Sequence, residues 1–407
     1  MKQQWLAVVL VLSLSLACSR PGTQQPSVTF QDDVAFLNKY TSVILLSSAD
    51  SSAQVAVAPD LQGRVMTSTA TGAAGQSFGW INRELIASGI PNRHINAFGG
   101  EDRFWLGPEG GQYSLYFAKG DPFDLEHWYT PRPFNEEGFI VLRRNPSSVV
   151  FSKRMSIRNY ADFVFTLELQ RTVRLLSRAE LEQHAQVKLP AALPAVGFES
   201  ENTITNIGEQ AWKKETGLVS IWILGMFTPS PTTVIAVPYV AGAEASRGPV
   251  VVSDYFGAIP PDRLRIKDQA VFFKGDGLYR SKIGMPRSRV KPVLGSYDSA
   301  LGVLTLVRFT LPEEARDYVN SQWRITDQPY AGDVANSYND GPAYPGAKPM
   351  GPFYELESSS PAAALAPNES CTHRHATFHF SGDRNLLDQI SLAVLGVSLN
   401  DFKTAFN

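Results

Sequence analysis

Two glutamates and three histidines near the carboxyl-terminal end of the chain are the residues best suited to acid–base chemistry. Glu355 and Glu357 lie two positions apart, as do His373 and His375, and His379 follows four residues later. Because residues i and i+2 of an extended strand point to the same side, each set shares one strand face. A carboxylate and an imidazole can exchange protons near neutral pH, so we predict Glu357, His373 and His375 as catalytic residues.

The same histidine pair offers a second chemistry. His373 and His375 could bind a divalent metal ion, with Glu357 as a third ligand or as the base. His379 would lie about 13 Å from His375 at ~3.3 Å per residue, so one ion cannot be held by all three histidines. The sequence leaves proton transfer, a metal site and a purely structural role open, and a divalent ion is the only cofactor it suggests.

A glycine-rich segment, residues 92–116, places charged and aromatic side chains between two tight turns. The pairs Gly99-Gly100 and Gly110-Gly111 permit positive φ or close backbone approach. The segment could form two surface hairpin turns, or it could form a cleft wall whose charges bind hydroxyl groups and whose indole stacks on a sugar. On the second interpretation the predicted substrate contacts are Glu101, Arg103, Trp105 and Glu109.

A basic segment follows a second turn signal. Gly275-Asp276-Gly277 favours a hairpin turn, which would place Arg280 and Lys282 beside it. These cations could be an exposed hairpin tip, or they could bind an acidic sugar or another carboxylate. We include both among the predicted substrate contacts.

Residues 336–341 have the composition of a polar loop that ends in an Asp-Gly turn. The side chains of Asn336 and Asn339 could bind the hydroxyl groups of a sugar there, or the segment could be a plain turn. We expect these amides to share one concave face with the other candidate residues.

The amino terminus has the features of an export signal. An apolar run from Leu6 to Ala17 follows a lysine, and it is shorter than the roughly 20 residues that a membrane-spanning helix needs. We therefore predict a signal peptide at 1–17, a lipidated Cys18 and a tether at 18–30. Cleavage by the ordinary signal peptidase, with an incidental cysteine, is the alternative. A lipid anchor would hold the protein in the cell envelope, and the residue after the cysteine favours the outer membrane, facing the periplasm or the cell surface.

The composition excludes some partners and favours others. The net charge is −2 and the chain has no run of like charges, so no nucleic-acid partner is expected. The 14 Tyr, 23 Phe and 7 Trp suit both a large core and stacking on sugars. If Cys18 carries lipid, Cys371 has no partner within the chain, and the fold must depend on its hydrophobic core. We predict carbohydrate and, through the anchor, a membrane as partners.

Strands dominate the periodicity. Val164 to Leu175 and Val303 to Leu311 alternate with period two, and turn residues separate many short apolar runs. Helices are expected over Asp32–Lys39, Ser177–Gln186 and Asn385–Leu395, the second with a capping box at Ser177. The sequence thus predicts one mostly β domain over residues 31–407.

The carboxyl-terminal segment resembles the signature of aldose 1-epimerases (galactose mutarotases). In that family a Leu-Glu-Thr-Gln strand precedes a Pro-Asp-Ala turn, a Pro-Gly-Glu turn and a last strand rich in threonine and aromatic residues. Here Leu356–Ala362, Pro367–Glu369 and Thr372–Phe380 follow the same order. The resemblance implies a galactose-mutarotase-like β-supersandwich and places Glu357 on the family's catalytic base.

The chain also departs from true epimerases. Their early His-Gly-Gly is replaced by Phe98-Gly99-Gly100, and the chain has no Thr-His-Pro motif. The acid role is therefore vacant or has moved to His373 or His375. Over most of its length the chain resembles the DUF6786 family, bacterial lipoproteins of unknown function.

Two classes of function follow from this resemblance and from the residues. The first is a carbohydrate-active enzyme, an epimerase, lyase or hydrolase that needs a base beside an acid or a metal ion. The second is a non-catalytic glycan-binding lipoprotein, which needs only aromatic platforms and hydroxyl-binding groups.

Overall fold

The computed structural model describes residues 28–407, and most of these residues form β-strands. The predicted signal peptide, Cys18 and most of the tether lie outside the described residues. In chain order the strands are β1 (Ile44–Ser47), β2 (Gln54–Ala58), β3 (Arg64–Thr69), β4 (Arg103–Gly107), β5 (Ile140–Asn145), β6 (Ser148–Arg158), β7 (Val164–Leu175), β8 (Ala195–Asn206), β9 (Ser220–Phe227), β10 (Thr233–Pro238), β11 (Leu264–Ile266), β12 (Ala270–Lys274), β13 (Ser281–Pro286), β14 (Val293–Asp298), β15 (Val303–Phe309), β16 (Asp333–Asn339), β17 (Tyr354–Ser359) and β18 (Ser370–Ser381).

The helices are short, and several of them pack against the ten-stranded sheet. They are α1 (Phe30–Leu37), α2 (Arg83–Ser88), α3 (Arg178–Ala185), α4 (Glu244–Arg247), α5 (Arg384–Leu395) and α6 (Leu399–Lys403), with 3-10 turns at Pro59–Leu61 and Arg132–Phe134. Within residues 28–407 no helix has the length and apolar character needed to cross a membrane.

Three helices were predicted from the sequence, and all three form. The Ser177 capping box precedes α3 as expected. The first helix begins earlier than predicted, because Thr29 rather than Asp32 is its N-cap; Asp32 instead accepts the backbone N–H of Thr29 as the partner of the capping box. Thr29 and Phe30, at the end of the predicted tether, therefore belong to this cap and helix.

The strands form three antiparallel sheets, which confirms the mostly β prediction. A ten-stranded sheet has the order β11-β12-β10-β14-β15-β18-β8-β7-β6-β5, a five-stranded sheet the order β13-β16-β17-β9-β4, and a small sheet the order β1-β2-β3. The predicted strand at Val164–Leu175 coincides with β7, and its exposure alternates along its length. Residues of all three sheets share one large buried core.

The ten-stranded and five-stranded sheets pack face to face. The hydroxyl of Ser358 on β17 lies 2.8 Å from a ring nitrogen of His373 and 2.8 Å from one of His375, both on β18. The hydroxyl groups of Tyr354 on β17 and Ser296 on β14 are likewise 2.8 Å apart. The inner face of the five-stranded sheet is thus covered by the larger sheet, and its outer face is left for long loops to cover.

Candidate functional site

A cleft of about 170 Å³ lies over the outer face of the five-stranded sheet. Its floor is formed by side chains of β4, β9, β13, β16 and β17, and six connecting segments supply its walls. These segments join β3 to β4, β4 to β5, β10 to β11, β12 to β13, β15 to β16 and β16 to β17. They contribute the wall residues Ile95, Glu109, Leu125, Trp128, Phe256, Arg280, Trp323, Asp340, Gly341, Ala343, Lys348, Pro349, Met350 and Phe353.

Strand register explains why residues that are distant in sequence meet on this floor. Arg103 on β4 pairs with Leu224 on β9, and Leu224 pairs with Glu357 on β17. The next row outward contains Lys282, which pairs with Tyr338, which in turn pairs with Glu355. Because alternate residues of a strand share a face, these side chains all lie on the outer face of the sheet.

The floor carries a buried ion pair between Arg103 and Glu355. Arg103 Nη2 donates to Glu355 Oε1 at 2.7 Å, and both side chains are less than a tenth exposed. Burial is the main cause that raises the pKa of Glu355 to about 7; Arg103 opposes the shift and Glu357 adds to it. Glu355 is therefore a cleft-lining carboxyl group that can exchange protons near neutral pH.

A second pair joins Lys282 on the floor to Glu357, which lies beneath it. Lys282 Nζ donates to Glu357 Oε2 at 3.1 Å, and Trp222 Nε1 donates to the same oxygen at 2.9 Å. Burial lowers the pKa of Lys282, but Glu357, Glu109 and Glu355 outweigh it, so the net shift is upward. Glu357 itself is fully buried and does not line the cleft, whereas Lys282 and Trp222 do.

Glu109 stands in the wall, close to this charged floor. Its pKa is raised, chiefly by burial, although Lys282 opposes the shift. Within residues 28–407 no cation lies within salt-bridge distance of its carboxyl group. The cleft lining thus contains three carboxyl groups in different environments. Glu355 is paired with an arginine, Asp340 accepts hydrogen bonds from Tyr338 and a backbone N–H, and Glu109 has no cation partner among the described residues.

Aromatic side chains make up much of the remaining surface. Four of the seven tryptophans line this one cleft, namely Trp105, Trp128, Trp222 and Trp323. The rings of Trp128 and Trp323 stack with centroids 6.0 Å apart. In the described part of the chain, the buried Nε1 atoms of Trp105 and Trp128 have no hydrogen-bond acceptor. Such surfaces suit a ligand with an apolar face and many oxygen atoms.

The structure places five of the eight predicted substrate contacts in the cleft. They are Arg103, Trp105, Glu109, Arg280 and Lys282. Arg280 lies at the wall, and its guanidinium carbon is 3.7 Å from the centre of the Phe256 ring. The cleft-wall interpretation of residues 92–116 therefore accounts for three of these residues better than a pair of surface turns.

Glu101 is a correction, because it points away from the cleft. Its Oε2 lies 2.7 Å from His379 Nε2 and accepts a 3.0 Å hydrogen bond from Ser68. His379 stacks on Phe78 and also contacts Thr305. Glu101 precedes β4 by two residues at a glycine-rich bend, so its direction does not follow the alternation that brings Arg103 to the floor.

The predicted partnership of Glu357 with His373 and His375 is wrong. The two imidazoles hydrogen-bond to Ser358, and adjacent residues of a strand point to opposite sides. The histidines therefore lie between the two sheets, whereas Glu357 faces the cleft. Burial lowers the pKa of His373 to about 3 and that of His375 to about 4, so both are neutral at pH 7.

The same geometry does not fit the predicted metal site. The Ser358 hydroxyl already contacts Nε2 of His373 and Nδ1 of His375, and Glu357 cannot reach them from the other face. Across residues 28–407, no group of three or more His, Cys, Asp or Glu side chains is arranged to hold a metal ion. His373 and His375 do share one strand face, as predicted, but they form hydrogen bonds at the contact between the two sheets.

Asn336 and Asn339 lie in a strand and not in the polar loop predicted from the sequence. Both belong to β16. Asn336 donates to the hydroxyl of Tyr255 at 3.2 Å and to a backbone carbonyl of β13. Asn339 accepts the N–H of Gly277 at 2.8 Å and donates to the carbonyl of Tyr279 at 2.9 Å. Neither amide lines the cleft, so they position their neighbours.

The predicted hairpin turn at Gly275-Asp276-Gly277 is also wrong. Its flanking strands, β12 and β13, belong to different sheets, so the segment crosses from one layer to the other. Asp276 forms an ion pair with Arg263 and is almost fully buried. The crossing delivers Arg280 and Lys282 to the cleft instead of to an exposed tip.

Sequence reasoning missed several residues of the cleft. The most important are Trp222, whose strand β9 is buried on both faces, and the wall residues Trp128 and Trp323. The strand alternation did put Glu355 beside Glu357, but the ionisation behaviour of Glu355 depends on Arg103, which comes from 252 positions away.

Comparison with known proteins identifies a family. The model of a family described as "Family of unknown function (DUF6786)" matches residues 28–406. No protein among the curated sequences matches the chain. Similar solved structures include a galactose mutarotase related enzyme from Lactobacillus acidophilus, at 10% identity over 83% of this chain and 97% of that one, with a TM-score of 0.45. A galactose mutarotase-like protein from Lactobacillus casei ATCC 334 has 10% identity, coverages of 83% and 100%, and a TM-score of 0.45.

Proposed function

The chain belongs to the family of unknown function DUF6786, and we propose that in this member the cleft binds a carbohydrate and transfers protons on it. One observation carries the proposal. Glu355, with a pKa raised to about 7, lies on the floor of a cleft that four tryptophans line. Indole faces stack on the apolar faces of sugar rings, and a carboxyl group of this pKa is suited to general acid–base catalysis.

Glu355 and Glu109 differ in a way that supports separate roles. Arg103 holds a hydrogen bond to Glu355 and favours its carboxylate form, which suits a base. Glu109 has a raised pKa because of burial, and it has no cation partner among the described residues, which suits an acid. Environments that differ in this way commonly separate the acid from the base at a two-carboxyl site.

The reaction that this pair supports is opening of a sugar ring at the anomeric carbon. Glu355 removes the proton of the anomeric hydroxyl group, a C=O bond forms, and the bond from that carbon to the ring oxygen breaks. Glu109 gives its proton to the ring oxygen. Rotation and reversal of the same steps return both protons and yield the other anomer. Lys282 on the floor and Glu357 beneath it are positioning residues in this scheme.

A second candidate is a glycan-binding protein without catalysis. It is favoured by the ion pair that restrains Glu355 and by the absence of a histidine from the described cleft lining. Aromatic walls and unpaired N–H donors would then be sufficient for binding. The two candidates share the ligand class and differ only in turnover.

Glu355→Gln separates them. A panel of mono- and oligosaccharides is first screened by thermal shift, and anomer exchange of the sugars that bind is followed by NMR. We expect Glu355→Gln to reduce exchange by about 10²- to 10⁴-fold while binding is largely retained, and Glu109→Gln to behave similarly. Glu369→Gln, which changes an exposed carboxylate outside the cleft lining, is the control. Binding without exchange in the wild type would establish the second candidate, and no binding of any sugar would refute both.

The location of the protein is a separate proposal that rests on the sequence alone. We propose that lipid on Cys18 holds the domain at an envelope membrane, on the outer membrane facing the periplasm or on the cell surface. The supporting features are the apolar run from Leu6 to Ala17 and the cysteine that follows it.

A further inference from the structure

The wall of the cleft contains a cation without an acidic partner. The floor cations are paired, Arg103 with Glu355 and Lys282 with Glu357. Arg280 is half-buried, and within the described residues it forms no salt bridge with any carboxylate. Its guanidinium carbon lies 3.7 Å from the centre of the Phe256 ring, and a guanidinium group stacked on a ring can still donate hydrogen bonds from its edge.

Besides that of Glu109, Arg280 affects the pKa of Asp340, an acidic side chain of the wall that already has hydrogen-bond partners of its own. Asp340 also lines the wall, but its Oδ1 accepts the Tyr338 hydroxyl at 3.1 Å and its Oδ2 accepts the N–H of Gly351 at 2.7 Å. Asp340 is almost fully buried. The charge of Arg280 opposes the upward pKa shifts of Asp340 and Glu109, but among the described residues Arg280 forms a salt bridge with neither, so its N–H groups can still bind a carboxylate that enters from solvent.

Several contacts hold Arg280 in place. Asn339 binds the N–H of Gly277 and the carbonyl of Tyr279, which fixes the segment that leads to Arg280. The backbone of Gly341 packs so closely that a Cβ atom there would lie 2.4 Å from the backbone nitrogen of Arg280. A residue held in this way presents its side chain from a defined position.

Other groups in the cleft are also short of acceptors. Nε of Arg103 and Nε1 of Trp105 and Trp128 are buried without a hydrogen-bond acceptor in residues 28–407, and all three residues line the cleft. A carboxylate accepts hydrogen bonds and donates none. A ligand that brings several oxygen acceptors, a carboxylate among them, therefore suits the cationic and N–H-rich lining of the cleft.

We propose that the cleft selects a uronic acid, that is, a sugar that carries a carboxylate, and that Arg280 binds this carboxylate. The proposal rests on the proposed carbohydrate function and narrows its substrate class. One unpaired arginine balances one negative charge. Glu109, Glu355 and Asp340 surround the same space, so a sugar phosphate with nearly two charges would be repelled more strongly.

Matched sugars provide the test. Calorimetry compares the binding of glucuronate and galacturonate with that of glucose and galactose. Glucose 6-phosphate is included as a sugar that carries nearly two negative charges. The proteins are the wild type, Arg280→Gln, Arg280→Lys and, as a control cation exposed outside the cleft, Arg265→Gln. We expect wild type and Arg265→Gln to prefer each uronate over its neutral sugar by about 10- to 100-fold. Arg280→Gln should bind each uronate no more tightly than its neutral sugar, and Arg280→Lys should retain part of the preference.

Each other outcome has a distinct meaning. Equal binding of neutral and acidic sugars by the wild type, or tighter binding of the phosphate, overturns the uronate proposal and leaves the carbohydrate function standing. A preference that survives in Arg280→Gln shows that another residue binds the carboxylate and overturns the assignment. If no sugar of either class binds, the proposed function itself has failed. Thermal unfolding of each variant shows whether a loss of binding comes from loss of the fold.

Discussion

Nη2 of Arg103 lies 2.7 Å from Oε1 of Glu355, although a whole strand separates the two strands that carry them. The pair spans β9 over its outer face and is almost fully buried. It joins the glycine-rich segment to the carboxyl-terminal signature, the two stretches in which the sequence placed its best candidates. The stability and the chemistry of the cleft both depend on this contact.

Replacing Arg103 by methionine should destabilise the protein strongly and in a pH-dependent way. The substitution leaves the Glu355 carboxyl group buried without its cation, which typically costs about 3–5 kcal/mol of unfolding free energy when the carboxyl is charged. The pKa of Glu355 is already raised to about 7, and loss of Arg103 raises it further. Protonation therefore relieves the penalty at low pH, so the loss should be largest above pH 8 and smaller near pH 5.5.

Urea denaturation at both pH values measures this effect. Lys119→Met removes the exposed Lys119–Asp162 pair and should cost within about 0.5 kcal/mol at either pH. Arg103→Met with Glu355→Leu should recover much of the loss, because no buried charge remains. A pH-independent loss in Arg103→Met would contradict a buried, titrating Glu355.

The histidines between the sheets should make the fold sensitive to acid. Folded His373 and His375 have pKa values lowered to about 3 and about 4 by burial, against about 6.5 in the unfolded chain. The unfolded state therefore binds more protons below pH 6.5, and stability falls as the pH is lowered from about 6.5 towards 4. Once the pH is below the folded-state pKa of a histidine, its full pKa difference lowers the free energy of unfolding by roughly 3–5 kcal/mol per histidine.

Unfolding free energies at pH 7, 6, 5 and 4 test this slope. Replacing both histidines by asparagine should reduce stability at pH 7 and flatten the dependence between pH 6.5 and 4. His127→Gln is the control, because His127 is paired with Asp124 in an exposed loop. If the double variant keeps the wild-type slope, other groups cause the acid sensitivity.

The first glycine of the Gly99-Gly100 pair should not tolerate a side chain. Gly99 has φ +94°, and a Cβ atom there would lie 2.0 Å from the carbonyl oxygen of Trp80. Gly99→Ala combines an unfavourable backbone angle with a backbone clash, so we expect a loss of at least about 2 kcal/mol. Gly89 also has positive φ, +60°, but it has open space around it, and Gly89→Ala should cost about 1 kcal/mol. Thermal or urea unfolding compares the two, and equal losses would show that the close approach at Gly99 is unimportant.

Cys18→Ala should release the protein from membranes if lipid at this position is the anchor. A single covalent change removes the acyl attachment, and the described domain offers no membrane-spanning helix in its place. Fractionation of cells that express each form measures the distribution, with Cys371→Ala as the matched control for loss of a thiol. Membrane association that persists in Cys18→Ala would rule out the predicted anchor.

The sequence determined local structure and the grouping of side chains along single strands. Period-two alternation located β7 and much of β15, the Ser177 capping box located α3, and two-residue spacing put His373 with His375 and Glu355 with Glu357. These features depend on neighbouring residues, whose relative directions are fixed by backbone geometry. The Gly99-Gly100 pair likewise indicated close backbone packing before its neighbours were known.

Only the tertiary structure decided which face of each strand packs against the other sheet and which face is turned towards the cleft. Every residue of β17 is buried, so its sequence has no polar and apolar sides to show that Glu357 faces the cleft and Ser358 faces β18. The assignment of β12 and β13 to different sheets, which turned an expected hairpin into a crossing, depends on pairing with distant strands. The pKa of Glu355 depends on burial by loops and on Arg103, and these contacts exist only after the sheets have packed, because their free energy comes from desolvation and from charges brought together across the fold.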